Sequence, residues 1–442
     1  MPRKLAILSL LLCLLIVWPG LVSALTFTTT YTVITGYGPV ASFSHQLPAG
    51  ERVIRAGDKT NAYLVKTVSV RDEAHLLQLM GASDAAALTD IQKGLLESYR
   101  FAASQRFDPL KSRVPGSSPA INLELVDING YTDSSRYKTV VDDFWPQNAR
   151  VFRYVGTDLE MNSDIRISGT DCLGFGPETA KAMQSTFAHE FGHAMDLTLT
   201  ENNAYGHDGS HYINEKIAPK ASFAEGFANF IKMLFFPEEE PRFRETVKTV
   251  KIERPEGGYD EFPLTDTRLA GEGYLNVEAI NTLIFTRLAA ELPDGQKLVL
   301  DSFQKHNTGE NRMSSFLKNF IADHPAHAET VARILNRETA GRLTDEEMRL
   351  ILGNGSGVES FLVARANTPV VVAEPEKKAE EPQRRSTITI YKWKDASGAV
   401  QFTSQPPPDG REYTVINRAA EPGRASPVVI ENPQTDPFIV GY

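Results

Sequence analysis

The chain has 442 residues, of which 41% are hydrophobic, 9% aromatic and 23% charged. That is the composition of an ordinary globular protein of two or three domains, and it excludes a fibrous or wholly disordered chain. The formal net charge of −10 becomes more acidic still once an N-terminal leader carrying Arg3 and Lys4 is removed, which disfavours a general nucleic-acid binder and gives anionic membranes little to attract. Partners of polypeptide or polymer chemistry fit better.

The chain opens Met1-Pro2-Arg3-Lys4, runs apolar from Leu5 to Val17, breaks at Pro19-Gly20 and reaches small residues at Val22 and Ala24. Residues 1–24 therefore read as a signal peptide, because the apolar run falls short of the roughly 20 residues a bilayer span needs. No later stretch is long and apolar enough to span, so no transmembrane segment is expected after cleavage. Of two cysteines, Cys13 leaves with the leader and Cys172 remains alone, so no intrachain disulfide can form and stability must come from core packing. A bacterial periplasmic or secreted protein is expected.

From Leu25 a Thr-, Val- and Ile-rich run predicts a strand through Ile34 and a turn at Gly36-Tyr37-Gly38-Pro39. Ser83-Asp84 reads as the cap of a helix from Ala85 to about Ser104, with Leu88, Ile91, Leu95, Leu96 and Phe101 at helical spacing. Residues 25–120 are thus an α+β region whose role is open between a pro-segment and a substrate-facing subdomain. Short strands are expected at Ile121–Val126, Val151–Val155 and Asp164–Ser168, the last a candidate edge for an extended substrate. Gly176-Pro177-Glu178 opens a helix, and further helices are expected at Asn276–Leu292, Met313–Ile321 and His327–Leu335. Sheet first and helices after predicts an α+β domain of two lobes over 121–365. A Pro- and Glu-rich stretch lacking periodicity makes 366–386 a disordered linker, 387–418 a small β-rich module and 419–442 a Pro-rich disordered tail.

The stretch that carries chemistry is His189-Glu190-Phe191-Gly192-His193, an HExxH motif on a helix whose apolar face is Met183, Phe187, Phe191, Ala194 and Met195. One turn separates the two histidines, so both imidazoles can meet one metal, while Glu190 sits one residue off that stripe, beside the metal rather than on it. A catalytic zinc needs a third protein ligand and an open fourth position. The sequence His193-Ala194-Met195-Asp196-Leu197-Thr198-Leu199 lacks the glycine and third histidine of metzincins, which excludes that class. The best third ligand is Glu225, a carboxylate among Phe223, Phe227 and Phe230 that requires a partner. His207 and His211, in the polar loop that follows the motif, are alternatives.

These residues resemble the gluzincin zinc metallopeptidases, which pair HExxH with a downstream helical Glu; lethal-factor-like members share the spelling HEFGH. The resemblance covers roughly Asp164 to Asn229 and implies a zincin-like fold, one zinc ion per chain held by His189, His193 and Glu225, and Glu190 as general base. Thermolysin-like members carry an Asp four residues after the ligand Glu, bonded to a ligand His; here Asn229 stands there. An amide oxygen can still accept a ring N–H, though it raises imidazole basicity less. Asp196 is a second candidate for that supporting role.

Weaker candidates remain. Tyr274, Tyr212 and Tyr205 could each donate to an oxyanion, Tyr274 lying just before a helix. Cys172 and Asp142-Asp143 read more simply as loop residues. At the other end, Tyr391-Lys392-Trp393-Lys394-Asp395-Ala396-Ser397-Gly398 followed by Phe402 and Pro406-Pro407 predicts two strands joined at 395–398. The segment resembles a small domain of unknown function found in proteobacterial envelope proteins, with Tyr391, Trp393 and Phe402 as a binding face or a minimal core.

The sequence thus predicts an exported zinc endopeptidase acting on protein or peptidoglycan peptide, with an envelope partner for 387–418. The rival is a catalytically inactive metalloprotease-like scaffold working through that C-terminal module.

Overall fold

A computed structural model describes residues 27–43, 47, 50–56, 60–111, 113, 121–128, 147–155, 158–168, 179–199, 211–266, 268–306, 312–367, 387–394, 400–403, 413–419 and 439–440, with the backbone alone at 147–164, 197–199, 211 and from 387 onward. The protein is mixed α+β and divides into two compact units, Met1–Arg365 with Thr435–Tyr442, and Ala366–Gln434. Among the described residues no helix is long and apolar enough to cross a membrane.

The first unit begins with strand β1 (Phe27–Pro39), which runs straight through the expected turn; its pairing instead shifts register between Ile34 and Gly36, an irregularity that glycine permits inside a strand. β2 (Glu51–Arg55) and β3 (Asn61–Ser69) pair antiparallel, and β3 pairs antiparallel with β1. Helices α1 (Glu73–Leu79), α2 (Asp90–Ala103) and the short α3 (Asp108–Lys111) follow. The expected helix from Ala85 starts later. Asp84 caps only a single 3-10 turn, Leu88 is extended, and Thr89 with Gln92 forms the capping box from which α2 grows.

Strands β4 (Ile121–Asp127), β5 (Gln147–Val155) and β6 (Asp158–Ser168) complete a six-stranded sheet of order β2-β3-β1-β4-β6-β5. β4 lies parallel to both β1 and β6, and β5 closes the sheet antiparallel to β6. Two expectations are corrected here. The Asp164–Ser168 segment is not an edge, since β6 is paired on both sides and the free edge beyond it belongs to β5. The boundary at 120 cuts through one sheet, because β1 and β4 are hydrogen-bonded neighbours from Phe27↔Ile121 to Val33↔Asp127.

One face of β4 carries Ile121, Leu123 and Leu125 into the core; the other carries buried Asn122 and Glu124, each satisfied. Glu124 takes Arg52 at 2.8 Å, Thr32 at 2.9 Å and Arg166 at 3.1 Å. Asp127 ties the sheet to α2, accepting from the Tyr31 hydroxyl at 2.6 Å and from Gln92 at 2.9 Å.

The remaining elements of this unit are α4 (Thr179–Leu199), β7 (His211–Tyr212), α5 (Pro219–Phe235), α6 (Glu240–Thr246), the hairpin β8 (Thr249–Glu253) and β9 (Tyr259–Pro263), then α7 (Glu278–Glu291), α8 (Gly295–His306), α9 (Met313–Asp323), α10 (Ala328–Glu338), α11 (Asp345–Leu352) and α12 (Ser356–Asn367). Helices α7, α9 and α10 stand where the periodicity placed them. A continuous apolar core runs from the sheet through these helices. Phe101, Phe107, Phe187, Phe191 and Phe235 fill it between α2, α4 and the end of α5, and Phe223, Phe227, Phe285, Phe303 and Phe316 fill it among α5, α7, α8 and α9.

In the second unit β10 (Thr387–Lys394) pairs antiparallel with β11 (Val400–Thr403) and with a third strand not separately expected, β12 (Tyr413–Ala419). In the register, Phe402 is the partner of Lys392, with Tyr391 opposite Thr403 and Trp393 opposite Gln401. The proposed linker lies outside the described residues beyond Asn367. So does most of the tail, but Ile439–Val440 form a strand, β13, paired with β7, which is not the disorder expected there.

Candidate metal centre

The α4 helix carries His189, Glu190 and His193 on consecutive turns of a segment that is buried from Phe187 to Asp196. Its proposed start at Gly176-Pro177-Glu178 lies outside the described residues. The α5 helix starts with Pro219 at its permissive first turn and is buried on every face from Ala221 to Ile231, as befits a central helix packed between α4 and α7.

Two glycines set these approaches. A β-carbon on Gly192 would stand 2.6 Å from the Ala228 Cα, and one on Gly226 would stand 2.5 Å from the Asn281 Cβ. With no side chains there, α5 presses against α4 on one side and α7 on the other. Glu225 thereby points at both imidazoles: its Oε2 lies 3.3 Å from His189 Nε2 and 3.2 Å from His193 Nε2, and the two Nε2 atoms are 3.0 Å apart. The three residues are 4%, 2% and 1% exposed in the order His189, His193, Glu225.

The charges of this trio follow from burial and mutual attraction. Burial pushes the His189 imidazole down, and the neighbouring His193 adds to that. Burial also opposes charge on His193, but the Glu225 carboxylate, aided by Glu190 and Asp196, outweighs it and pushes this imidazole up to about 9. Glu225 is held well below the usual carboxylate range, its own burial being overcome first by the charge of His193 and then by the closeness of both imidazoles. Without a metal, the group is therefore a neutral His189 beside an ion pair of His193 and Glu225.

Desolvating an ion pair this thoroughly costs stability that a hydrophobic replacement would not, so its presence points to function more than to folding. A zinc ion bound at about 2.0–2.1 Å sets its tetrahedral ligands roughly 3.3 Å apart, and the donor spacings of 3.0–3.3 Å fit that edge with one corner left over. Two imidazole nitrogens and a carboxylate oxygen favour zinc over the oxygen-seeking magnesium and calcium. His189, His193 and Glu225 are a group able to hold a metal ion.

Asn229, one turn after Glu225, meets His189: its Oδ1 is 3.1 Å from Nδ1. Asp196 is fully buried on α4 and acts on His193 through its charge. Glu190, 1% exposed, sits within the same buried turn as the ligands. Tyr274 is not brought to this group among the contacts described. It is buried in a 3-10 turn (Gly271–Asn276), and its hydroxyl donates to the Asp266 carbonyl at 3.4 Å. Tyr212 packs edge-on against Tyr259 beneath the Lys251 ammonium. His207, Tyr205, Cys172 and Asp142-Asp143 lie outside the described residues, and His211 is described only as backbone in β7.

Sequence reasoning missed Glu278, which accepts from the Asn229 amide at 2.5 Å and is fully buried at the first turn of α7. Its signal was faint, a lone acid between Val277 and Ala279-Ile280, which reads equally well as an ordinary helix-start carboxylate.

Comparison with protein families matches residues 389–431 to a domain of unknown function, DUF4124, in agreement with the resemblance of the C-terminal module. No curated protein and no solved structure matches the chain.

Proposed function

We propose that the protein is an exported zinc-dependent endopeptidase with a zincin-like fold. The observation that carries this reading is the buried trio of His189, His193 and Glu225, whose donor atoms converge to within 3.0–3.3 Å of one another. A sheet lobe preceding the HExxH helix and a helical lobe following it support the fold assignment.

His189, His193 and Glu225 would hold the ion. Zinc in that position would supply Lewis acidity toward a scissile carbonyl and toward water at neutral pH. The chain's own work falls to Glu190, a carboxylate shielded from bulk solvent on the ligand turn. It takes a proton from the attacking water and later returns it to the departing amine. His189, bonded to Asn229 through Nδ1, keeps its Nε2 lone pair available. The leader at 1–24, the lone Cys172 and the DUF4124 match at 389–431 together support an envelope or extracellular location in a Gram-negative bacterium. The substrate class is polypeptide, as protein or as peptidoglycan peptide.

The match to DUF4124 also favours a second reading, a scaffold in which only the C-terminal module acts. Glu190→Gln separates the two. Retained zinc with lost cleavage of an unfolded protein supports the peptidase, and equal cleavage by wild type and variant overturns it.

A further inference from the structure

The interaction of Asn229 with His189 leaves a question of direction. A neutral imidazole carries one N–H and one lone pair, and a ligand histidine must keep its lone pair on the nitrogen that faces the metal. Nε2 of His189 faces His193 and Glu225, so the proton has to reside on Nδ1. An asparagine amide does not enforce this by itself. With Oδ1 toward the ring it accepts the Nδ1 proton, but turned over it would offer an N–H to Nδ1 and drive the proton to Nε2, closing off the ligand atom.

The group that removes this ambiguity lies one residue further back. Glu278 Oε1 stands 2.5 Å from Asn229 Nδ2. A carboxylate is an acceptor only, so it demands the NH2 end of the amide and leaves Oδ1 for His189. Asn229 and Glu278 are 1% and 0% exposed, so both ends of this bond are shielded from bulk solvent. We infer that Glu278 is a positioning residue for the metal centre: through the Asn229 amide it fixes His189 in the Nδ1–H tautomer that presents Nε2 as a ligand. The chain runs from α7 through α5 to α4, and it restores at one remove the carboxylate that Asn229 itself lacks. This rests on the metal reading proposed above, and the experiment separates the two.

The test compares wild type, Glu278→Gln, Asn229→Asp and the double variant for zinc affinity by chelator competition. The tautomer of His189 is read by side-chain nitrogen NMR of the metal-free proteins. A glutamine at 278 can accept or donate, so the amide of Asn229 is no longer directed. Zinc affinity should fall about 10- to 100-fold, the range for partners behind a ligand, and His189 should show a mixture of tautomers. Asn229→Asp alone sets two carboxylates against each other and should also bind poorly. The double variant moves the acid next to the imidazole with an amide donor behind it, and it should recover the Nδ1–H form and affinity to within about threefold of wild type.

Unchanged affinity and tautomer in Glu278→Gln would overturn the inference, as would a folded double variant that fails to recover either. If wild type itself takes up no zinc, the metal reading falls, and the tautomer comparison alone then decides the role of Glu278.

Discussion

Gly192 and Ala228 are in backbone contact: the position a β-carbon on Gly192 would occupy is 2.6 Å from the Ala228 Cα and 3.0 Å from its carbonyl oxygen. The glycine inside the HExxH motif is thus an instrument of helix packing. It allows α5 to come close enough for Glu225, one turn before Ala228, to reach both imidazoles. The obstacle to any larger residue is main chain, which cannot step aside as a rotamer can.

Gly192→Ala should therefore destabilise, although Gly to Ala in a helix interior ordinarily gains about 1 kcal/mol. Overpacking against a backbone costs roughly 1–3 kcal/mol, which offsets that gain or exceeds it. Because the strain is relieved by moving α5, zinc content should fall further than the unfolding midpoint does. A variant that melts higher than wild type with full zinc would contradict this packing.

Glu225→Gln should bind little or no zinc, while His207→Ala should bind as wild type does. Metal analysis of the purified proteins checks both, and a zinc-replete Glu225→Gln would remove this residue from the ligand set. Thermal unfolding run alongside would show whether the loss is local to the site.

Metal uptake should release protons. His193 is protonated in the metal-free protein up to about pH 9, and a ligand must give up that proton. At pH 7 close to one proton per zinc should therefore appear from this group, and apparent affinity should rise about tenfold per pH unit until near pH 9. Calorimetry in buffers of different ionisation enthalpy measures the release. The same shift governs the metal-free fold. Since the folded value exceeds the ordinary 6.5, the stabilisation is complete below about pH 6.5 and is lost as pH rises through 9. Metal-free protein should melt lower at pH 9 than at pH 7; the opposite order would refute the charge assignment.

Tyr274→Phe should keep its zinc and most of its cleavage activity. The hydroxyl it removes is engaged with the Asp266 carbonyl at 3.4 Å, a long bond worth about 1 kcal/mol or less. A loss of 10²–10³ in turnover would instead place this tyrosine at the oxyanion.

What the sequence disclosed about the site was what one helix can encode. His189 and His193 are legible because four residues make nearly one turn, and Glu225 because a lone acid among phenylalanines must answer to something. Glu278 was not, since nothing local tells a helix-start carboxylate from one that reaches a neighbouring helix. The closeness of Gly192 to Ala228 and of Gly226 to Asn281 is likewise a property of pairs far apart in the chain. The strands at Ile121, Val151 and Asp164 were legible from composition, but strand order is not written in any one of them. Hence the sequence alone reads Asp164–Ser168 as an edge and 120 as a boundary, and the pairing of β6 with both β4 and β5, and of β4 with β1, overturns both. The late start of α2 reflects a competition between two capping signals only five residues apart, Asp84 and Thr89, of which the second has the capping box.

The union of β1 with β4 has a bearing on how the chain could be processed. Three of the sheet's six strands come from residues 27–69. Cutting them away would bare the flank of β4 along seven rungs and leave its backbone donors and acceptors open to a new neighbour, the circumstance in which chains zip into aggregates. Excision of the N-terminal third would therefore take away half of the sheet's strands. The portion before Ile121 belongs to the frame of the folded unit that carries His189, His193 and Glu225.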